Sequence, residues 1–247
     1  MNDSKKALRA LVLANALAFF LIPRPALFGA QTDAPLAQSL DAARRTRDES
    51  QLRSIKTQIE QRLRQNSEDA LTQYHLAQVQ GYLADVYEGR KDNRSASKAI
   101  DEAIEAAQRS LQLFEKSADV HSLLGDLYGR KISLGTPMFA GPKYGPRVDE
   151  ENKRAMALDD KNPRVWASLG RQCLMTPKMF GGDIPKAIDS FQKSLALDAS
   201  QDETWVWLAK AYQKQGDKPK AREAVQHALE LDPDSAFAKE ISFSLRK

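Results

Sequence analysis

Residues 202–235 read DETWVWLAKAYQKQGDKPKAREAVQHALELDPDS, and this stretch decides the fold of the chain. Trp205, Leu208 and Tyr212 are spaced i, i+3 and i+7, so they lie on one stripe of an amphipathic helix. Such a stripe cannot be buried by one helix alone. The spacing therefore predicts a helix that packs against a partner along this stripe.

The partner helix follows directly. The residues Gly216-Asp217-Lys218-Pro219 predict a turn, with Asp217 as the N-cap and Pro219 in the first turn of the second helix. Ala209 and Ala221 are small, which allows the two helices to approach closely, and Pro233 ends the second helix. The stretch thus predicts a hairpin of two antiparallel helices.

The key positions of this hairpin follow the pattern W-x2-L-G-x2-Y…A-x3-F…P, with Ala209 in place of Gly and Val225 in place of Phe. The stretch therefore resembles a tetratricopeptide repeat. The resemblance implies an all-α solenoid, in which antiparallel helix pairs stack into a right-handed superhelix. It also implies that the first helix of each pair lines a concave groove that holds a peptide or another protein.

The pattern recurs upstream, with the Trp position taken by Gln73, His121, Trp166 and Trp205 in turn. We number the four helix hairpins predicted in this way one to four: 70–117, 118–162, 163–201 and 202–235. Residues 31–69 are expected to form a lead-in and a degenerate, polar capping pair, and residues 236–247 a C-terminal capping helix.

Hairpins two and three are longer than the usual period of about 34 residues. The extra residues are assigned to loops between their helices, in two similar stretches at 136–141 and 176–182. Each stretch has Thr-Pro followed by Met-Phe and glycine, which indicates an internal duplication. Two interpretations stay open: the apolar side chains fill a gap between hairpins, which we prefer, or they form an exposed lip. The four side chains concerned are Met138, Phe139, Met179 and Phe180.

The resemblance also implies which side chains face the groove. They are Tyr74, Gln78, Tyr82, Ser122, Asp126, Arg130, Arg164, Arg171, Met175, Glu203, Lys210 and Lys214. Basic residues gather toward the C-terminal end of this set, which predicts an acidic partner segment. The alternative is a solvated face whose charges form salt bridges with their neighbours.

Composition limits the classes of function. Hydrophobic residues make up 42% and charged residues 28% of the 247 residues, which suits a globular helical protein. Most of the formal charge of +4 lies in residues 1–30, so the rest of the chain is nearly neutral. A nearly neutral chain offers no electrostatic basis for binding nucleic acid. The single cysteine, Cys173, excludes an intrachain disulfide and any metal cluster built from cysteines.

The sequence contains none of the common catalytic or nucleotide-binding motifs. The three histidines, His75, His121 and His227, are far apart, and His121 at a Trp position is expected to be packed in the core. We therefore predict a protein that is not an enzyme and that needs neither a cofactor nor a metal.

Residues 1–30 have the features of an export signal. Lys5, Lys6 and Arg9 precede a mostly apolar run at 10–22, which as a helix would be about 20 Å long. This is too short to cross a hydrocarbon layer of roughly 30 Å, so a signal peptide is preferred to a membrane span. The alternative is an uncleaved N-terminal membrane anchor. Either places the protein outside the cytoplasm, in the periplasm or at the outer face of the membrane if the source is bacterial.

These observations predict a non-enzymatic scaffold that binds a protein or peptide in an exported or envelope compartment. The alternative function is a small-ligand-binding accessory component of a transporter or envelope system. In that case the two Met-Phe stretches would close a pocket for an apolar molecule.

Overall fold

The structure is a computed structural model that describes residues 34–246. These residues belong to one compact unit, Asp33–Lys247. The predicted signal peptide or membrane anchor at 1–30 lies outside the described residues, as do residues 31–33 of the lead-in.

The described residues form eleven α-helices and one short 3₁₀ helix, with no β-strand among them. The helices are α1 (Ala34–Thr46), α2 (Glu49–Gln65), α3 (Ala70–Gly89), α4 (Asn93–Leu113), α5 (Ala118–Leu134), α6 (Pro137–Leu158), α7 (Pro163–Met175), α8 (Ile184–Leu197), α9 (Asp202–Gln215), α10 (Lys218–Leu231) and α11 (Ala236–Ser244). Helices α3/α4, α5/α6, α7/α8 and α9/α10 pair as four hairpins, and each hairpin packs on the next. The predicted all-α solenoid of stacked helix pairs is confirmed.

Helix starts follow the capping residues in the sequence. Asp183 and Asp217, the two predicted N-caps, accept hydrogen bonds from the backbone N–H groups of Lys186 and Lys220. Since the first N–H groups of a helix have no partner within it, these caps stabilise the start of each second helix. Proline at the second position of α8 and of α10 has no N–H to satisfy there.

The residues at the repeated Trp position share one hydrogen bond. The indole N–H groups of Trp166 and Trp205 donate to the backbone carbonyls of residues 160 and 199, at 2.7 and 3.0 Å. His121 Nε2 lies 3.2 Å from the carbonyl of residue 115, and Gln73 Nε2 lies 3.5 Å from that of residue 67. In every hairpin the partner lies six residues earlier. This position therefore ties each first helix to the end of the preceding hairpin, whichever polar side chain occupies it.

Contacts between neighbouring hairpins repeat in the same register. Gln108 Nε2 donates to the Tyr128 hydroxyl at 3.0 Å, and Gln192 Nε2 donates to the Tyr212 hydroxyl at 3.1 Å. Both pairs are separated by 20 residues and join the second helix of one hairpin to the first helix of the next. Equivalent contacts at equal spacing show that the hairpins are stacked in the same way.

Two helices pack closely in hairpin three. A Cβ atom added to Gly170 in α7 would lie only 2.5 Å from the ring of Phe191 in α8. Phe191 is fully buried, as are Ala209 and Ala221 in the next hairpin. The small residues that the sequence analysis singled out in the last hairpin are therefore in the core.

The prediction that residues 136–141 form a loop is wrong. Helix α6 begins at Pro137 and runs through Pro142 and Pro146 to Leu158. Pro142 and Pro146 are both exposed, and the proline ring keeps a helical φ. Residues 176–182 do form a loop, with a 3₁₀ turn at Lys178–Phe180. The two similar stretches therefore adopt different structures.

Candidate binding surface

The inner side chains of first helices from different hairpins contact one another through polar groups. Arg164 Nη1 of hairpin three donates to the Tyr74 hydroxyl of hairpin one at 3.0 Å, and Gln78 Nε2 donates to the same hydroxyl at 3.2 Å. Burial raises the pKa of Tyr74 above its usual range. The solenoid is thus wound tightly enough for hairpins one and three to touch across the concave side.

A second polar network, between hairpins two and three, is an ion pair with buried hydroxyl groups beside it. Arg171 Nε and Nη2 donate to the two carboxylate oxygens of Asp126 at 2.9 and 2.5 Å. Ser168 Oγ lies 3.0 Å from Asp126 Oδ1 and 3.2 Å from the backbone carbonyl of Ser122. The Ser122 hydroxyl itself is buried and has no hydrogen-bond partner among the described residues. Arg171 and Asp126 therefore satisfy each other inside the protein.

Arg130 is neutralised in the same way. Its guanidinium lies 2.6 Å from Glu88 and 3.0 Å from Asp85, and it donates to the backbone carbonyl of Gly81 at 3.0 Å. Burial raises the pKa of Asp85 to about 6, even though Arg130 acts in the opposite direction. The arginines expected to attract an acidic partner instead have partners within the chain. The alternative to an acidic partner, a face whose charges form salt bridges with their neighbours, therefore describes this part of the surface.

The first described helix meets α9 and α11. Arg44 of α1 lies 2.8 Å from Asp202 and 3.6 Å from Glu203 of α9. Arg47, just after α1, lies 3.6 Å from Glu240 of α11, with its guanidinium 5.7 Å from the centre of the Phe237 ring. The N-terminal capping pair therefore also contacts the C-terminal end of the solenoid. No local pattern in the sequence predicts these contacts, because they join residues more than 150 positions apart.

A cavity of about 280 Å³ lies where these helices meet. It is lined by Arg44, Arg45, Arg47, Asp85, Glu88, Gly89, Asp202, Glu203, Trp207, Lys210, Ser235, Phe237 and Glu240. The Trp207 and Phe237 rings pack edge to face at 5.3 Å, and Lys210 Nζ lies 4.9 Å above the Trp207 ring. Burial lowers the pKa of Lys210, and the nearby Lys214 ammonium lowers it further. The cavity thus combines an apolar wall with a lysine that has no carboxylate within ion-pair distance among the described residues.

Only two of the predicted groove residues, Glu203 and Lys210, line this cavity. Near the other predicted groove residues, Met175 is half-exposed and Lys214 Nζ donates to the backbone carbonyl of Leu174 at 3.0 Å. Tyr82 lies near Arg44 and Glu203, and burial raises its pKa. Trp207 is not among the residues predicted from the sequence. Its position could have indicated a separate role. Trp207 follows Trp205 by two residues, so in a helix its side chain points away from the stripe of Trp205, Leu208 and Tyr212.

A second cavity of about 480 Å³ opens between the last hairpin and the C-terminal helix. Its lining is Arg222, Val225, Gln226, Leu229, Glu230, Ser242, Leu245 and Arg246. Neither of these two cavities is lined by Met138, Phe139, Met179 or Phe180. These two cavities therefore do not support a pocket closed by the Met-Phe stretches.

The expectation that these four side chains fill a gap between hairpins is wrong. Met138 and Phe139 are 77% and 75% exposed, and Met179 and Phe180 are 83% and 72% exposed. The first pair stands on the first turn of α6 and the second on the 3₁₀ turn, so neither reaches a neighbouring hairpin. We call these four residues the Met-Phe lip.

Other classes of site find no support in residues 34–246. No group of three His, Cys, Asp or Glu side chains among them could hold a metal ion. None of their helices is long and apolar enough to cross a membrane. Cys173 is partly buried, and burial raises the pKa of its thiol, which disfavours the reactive thiolate. His121 is buried between Glu151 and a backbone carbonyl, as expected of a packed core histidine.

Comparisons with known proteins agree with this architecture. Residues 181–239 match the family model "Tetratricopeptide repeat". A crystal structure of a thermophilic tetratricopeptide-repeat protein from Thermus thermophilus covers 85% of this chain and 98% of its own, with a TM-score of 0.61 and 16% identity. At this identity the likeness concerns the fold alone.

Among curated proteins, "Regulator of microtubule dynamics protein 3" from Bos taurus is 24% identical over 191 residues. The alignment covers 68% of this chain but only 39% of that protein. The cattle protein is thus much longer than the region that matches. The described chain has the fold of tetratricopeptide-repeat proteins, and residues 181–239 match the model of that repeat.

Proposed function

We propose that this protein is a non-enzymatic scaffold that binds a protein or peptide segment at the C-terminal end of its concave side. The observation that carries the proposal is the cavity beside Trp207, Phe237 and Lys210. Arg130, Arg164 and Arg171 already have partners within the chain. Here two aromatic rings and a lysine remain partly accessible in a recess.

The lining indicates what kind of segment would fit. Aromatic side chains in a recess are typical anchors of protein interfaces, because they bury a large apolar area with little loss of conformational freedom. Lys210 can pair with an acidic residue of the partner once water is excluded. The lining carries five acidic and four basic side chains, so the recess as a whole does not attract a uniformly acidic segment. We therefore propose a segment with an apolar side chain for the rings and a single carboxylate for Lys210.

The test begins with affinity capture from an extract of the source organism, using the full chain as bait. The partner is then purified and titrated against the wild type, Trp207→Ala and Lys210→Glu. Loss of an aromatic anchor costs about 2 kcal/mol or more, so Trp207→Ala should raise Kd on the order of thirtyfold. The matched control is Lys218→Glu, a charge reversal at an exposed lysine at the start of α10. Equal Kd values for all variants would overturn the proposal.

Arg171→Glu is a poor choice for this test, because it would place a second carboxylate beside Asp126 inside the network. Loss of binding by that variant would report a damaged fold. Lys210 has no such partner, so its reversal acts mainly on the recess.

We also propose an exported or envelope location, supported by the basic start and the short apolar run in residues 1–30. Fusion of these residues to alkaline phosphatase, which is active only after export, tests it. An inactive fusion in a bacterial host would contradict export. Sequencing the N-terminus of the native protein then distinguishes a cleaved signal from a retained anchor.

A further inference from the structure

We propose that the Met-Phe lip docks on the surface of an anionic lipid bilayer. Its four side chains would enter the headgroup region, and Lys143 and Lys178 would lie at the lipid phosphates. This surface is separate from the recess at Trp207 and would orient the scaffold on a membrane.

The exposure of the lip is built into the local structure. In the loop 176–182, the backbone N–H groups of Phe180 and Gly182 both donate to the carbonyl of Pro177, at 2.9 and 3.1 Å. A Cβ atom on Gly182 would lie only 1.8 Å from the carbonyl oxygen of Thr176, so this tight ring requires glycine. The hydrogen-bonded turn therefore holds Met179 and Phe180 outward.

The other half of the lip is also held by its surroundings. Ala140 in the first turn of α6 is buried, and its Cβ atom lies against Gly135. With Ala140 facing inward, Met138 and Phe139 stand on the opposite side of the turn. Lys143 is exposed one helical turn after Phe139, on the same side of α6. A basic group thus accompanies each apolar pair.

The topology brings the two pairs to one edge of the solenoid. Thr136 and Thr176 follow the ends of α5 and α7, which are the first helices of neighbouring hairpins and pack against each other. Equivalent ends of neighbouring first helices lie on the same edge of a stack of this kind. The two apolar pairs and their lysines therefore share one edge.

Charge and shape favour a bilayer over a protein partner. No carboxylate occurs at 136–148 or 176–182, whereas Lys143, Arg147 and Lys178 do. Lys143 and Lys178 have no ion-pair partner among the described residues, and Lys143 Nζ lies 4.9 Å above the Tyr144 ring. The side chains of the lip project outward, and neither of the two cavities described above lies between them. A fluid bilayer accepts such projections without a matching shape, and an anionic surface attracts the lysines.

The test must separate the lip from the N-terminal segment, so it uses a probe at the lip of the full chain. Cys173→Ser removes the native thiol, and Met179→Cys is labelled with an environment-sensitive fluorophore. Glu223→Cys, exposed on α10, is the matched control. With vesicles of phosphatidylcholine and phosphatidylglycerol, the probe at 179 should shift to shorter wavelength, and the probe at 223 should not.

The lysines are tested by Lys143→Gln with Lys178→Gln in the same labelled chain. Each basic group near an anionic surface contributes about fivefold to partitioning, so the double substitution should raise the vesicle concentration needed for a half-maximal shift on the order of thirtyfold. Phe180→Ser with Phe139→Ser should weaken insertion further, and Phe243→Ser on α11 should leave it unchanged.

Three results would overturn the proposal. The first is an unshifted probe at 179 in the presence of anionic vesicles. The second is an equal shift with pure phosphatidylcholine that the lysine substitutions do not change. The third is a shift without vesicles that grows with protein concentration, which would assign the lip to a second copy of the chain.

Discussion

Gly170→Ala should destabilise the protein, because the methyl group has no room. In the structure it would lie 2.5, 2.6 and 2.8 Å from three ring carbons of Phe191, whereas carbon atoms at rest are about 3.5–4.0 Å apart. Phe191 is fully buried and cannot turn into solvent. Overpacking of this kind costs about 1–3 kcal/mol, and the change from glycine to alanine in a helix returns about 1 kcal/mol. We expect a net loss of up to about 2 kcal/mol.

Gly129→Ala is the matched control. Gly129 lies inside α5, and no atom is within 4 Å of the position its Cβ would occupy. The same chemical change should therefore stabilise the protein by up to about 1 kcal/mol. The two variants should differ by the overpacking cost, about 1–3 kcal/mol, in urea unfolding followed by circular dichroism, with an unchanged dependence on denaturant.

The contact between residue 170 and Phe191 also predicts that a second substitution restores stability. Phe191→Leu shortens the side chain that meets the new methyl group, so the double variant should be more stable than the sum of its single changes by about 1 kcal/mol. If Gly170→Ala is as stable as Gly129→Ala, or if the double variant shows no coupling, the close packing of α7 on α8 is not as described.

Three further predictions concern stability. Burial lowers the pKa of His75 below 6.5, so the unfolded chain binds a proton at this imidazole at a higher pH than the folded chain does. The free energy of unfolding should therefore fall as the pH drops below about 6.5. His75→Phe should reduce this fall, as measured by urea titrations between pH 7 and pH 5. Arg44→Met leaves the buried carboxylate of Asp202 without its guanidinium partner and should cost on the order of 3 kcal/mol in the same assay. Gly182→Ala places a methyl group on the Thr176 carbonyl and should lower the thermal midpoint, because the loop must open.

Each of these has its own contradicting outcome. The same pH dependence in His75→Phe and wild type would show that His75 does not contribute to it. Arg154 pairs with Glu150 at the surface, so Arg154→Met should cost less than about 1 kcal/mol; equal losses at Arg44 and Arg154 would argue against the contact of α1 with α9. An unchanged midpoint in Gly182→Ala would mean that the loop is looser than the structure shows.

The sequence predicts the hairpins well because their determinants are local. Each repeat contains its own determinants: the Trp position, an N-cap such as Asp183 or Asp217, and the small residues where its two helices cross. Even Gln73, a weak match to the pattern, takes the same place as Trp166. The side-chain N–H of each residue donates to the backbone carbonyl six residues earlier. Periodicity and capping are therefore enough for the fold class.

The binding surface was less predictable, because it depends on how far the solenoid winds. The contact of Arg164 with Tyr74 joins residues two hairpins apart, and that of Arg44 with Asp202 joins the two ends. A repeat pattern indicates which side of each helix faces inward. It carries no information on the distances between side chains of hairpins that are not adjacent in the sequence. For the same reason it could not show that most of the basic groups already have acidic partners.

The inserted stretches show a different limit. Pro142 and Pro146 predict a break in the helix, but both are exposed within α6, and the proline ring keeps a helical φ. The shared Thr-Pro-Met-Phe pattern predicts a shared role, and the exposure of the Met-Phe lip is shared. The backbone conformation is not.

The most direct test of the account is photo-crosslinking from the recess. A photoreactive phenylalanine derivative is placed at position 207 of the full chain, or at the exposed outer position 223, and irradiated in an extract of the source organism. If a partner segment lies against the aromatic wall, residue 207 should yield a discrete adduct with one protein, and residue 223 should not. The same set of adducts from both positions, or none from 207 while the chain still captures its partner, would contradict binding at this site.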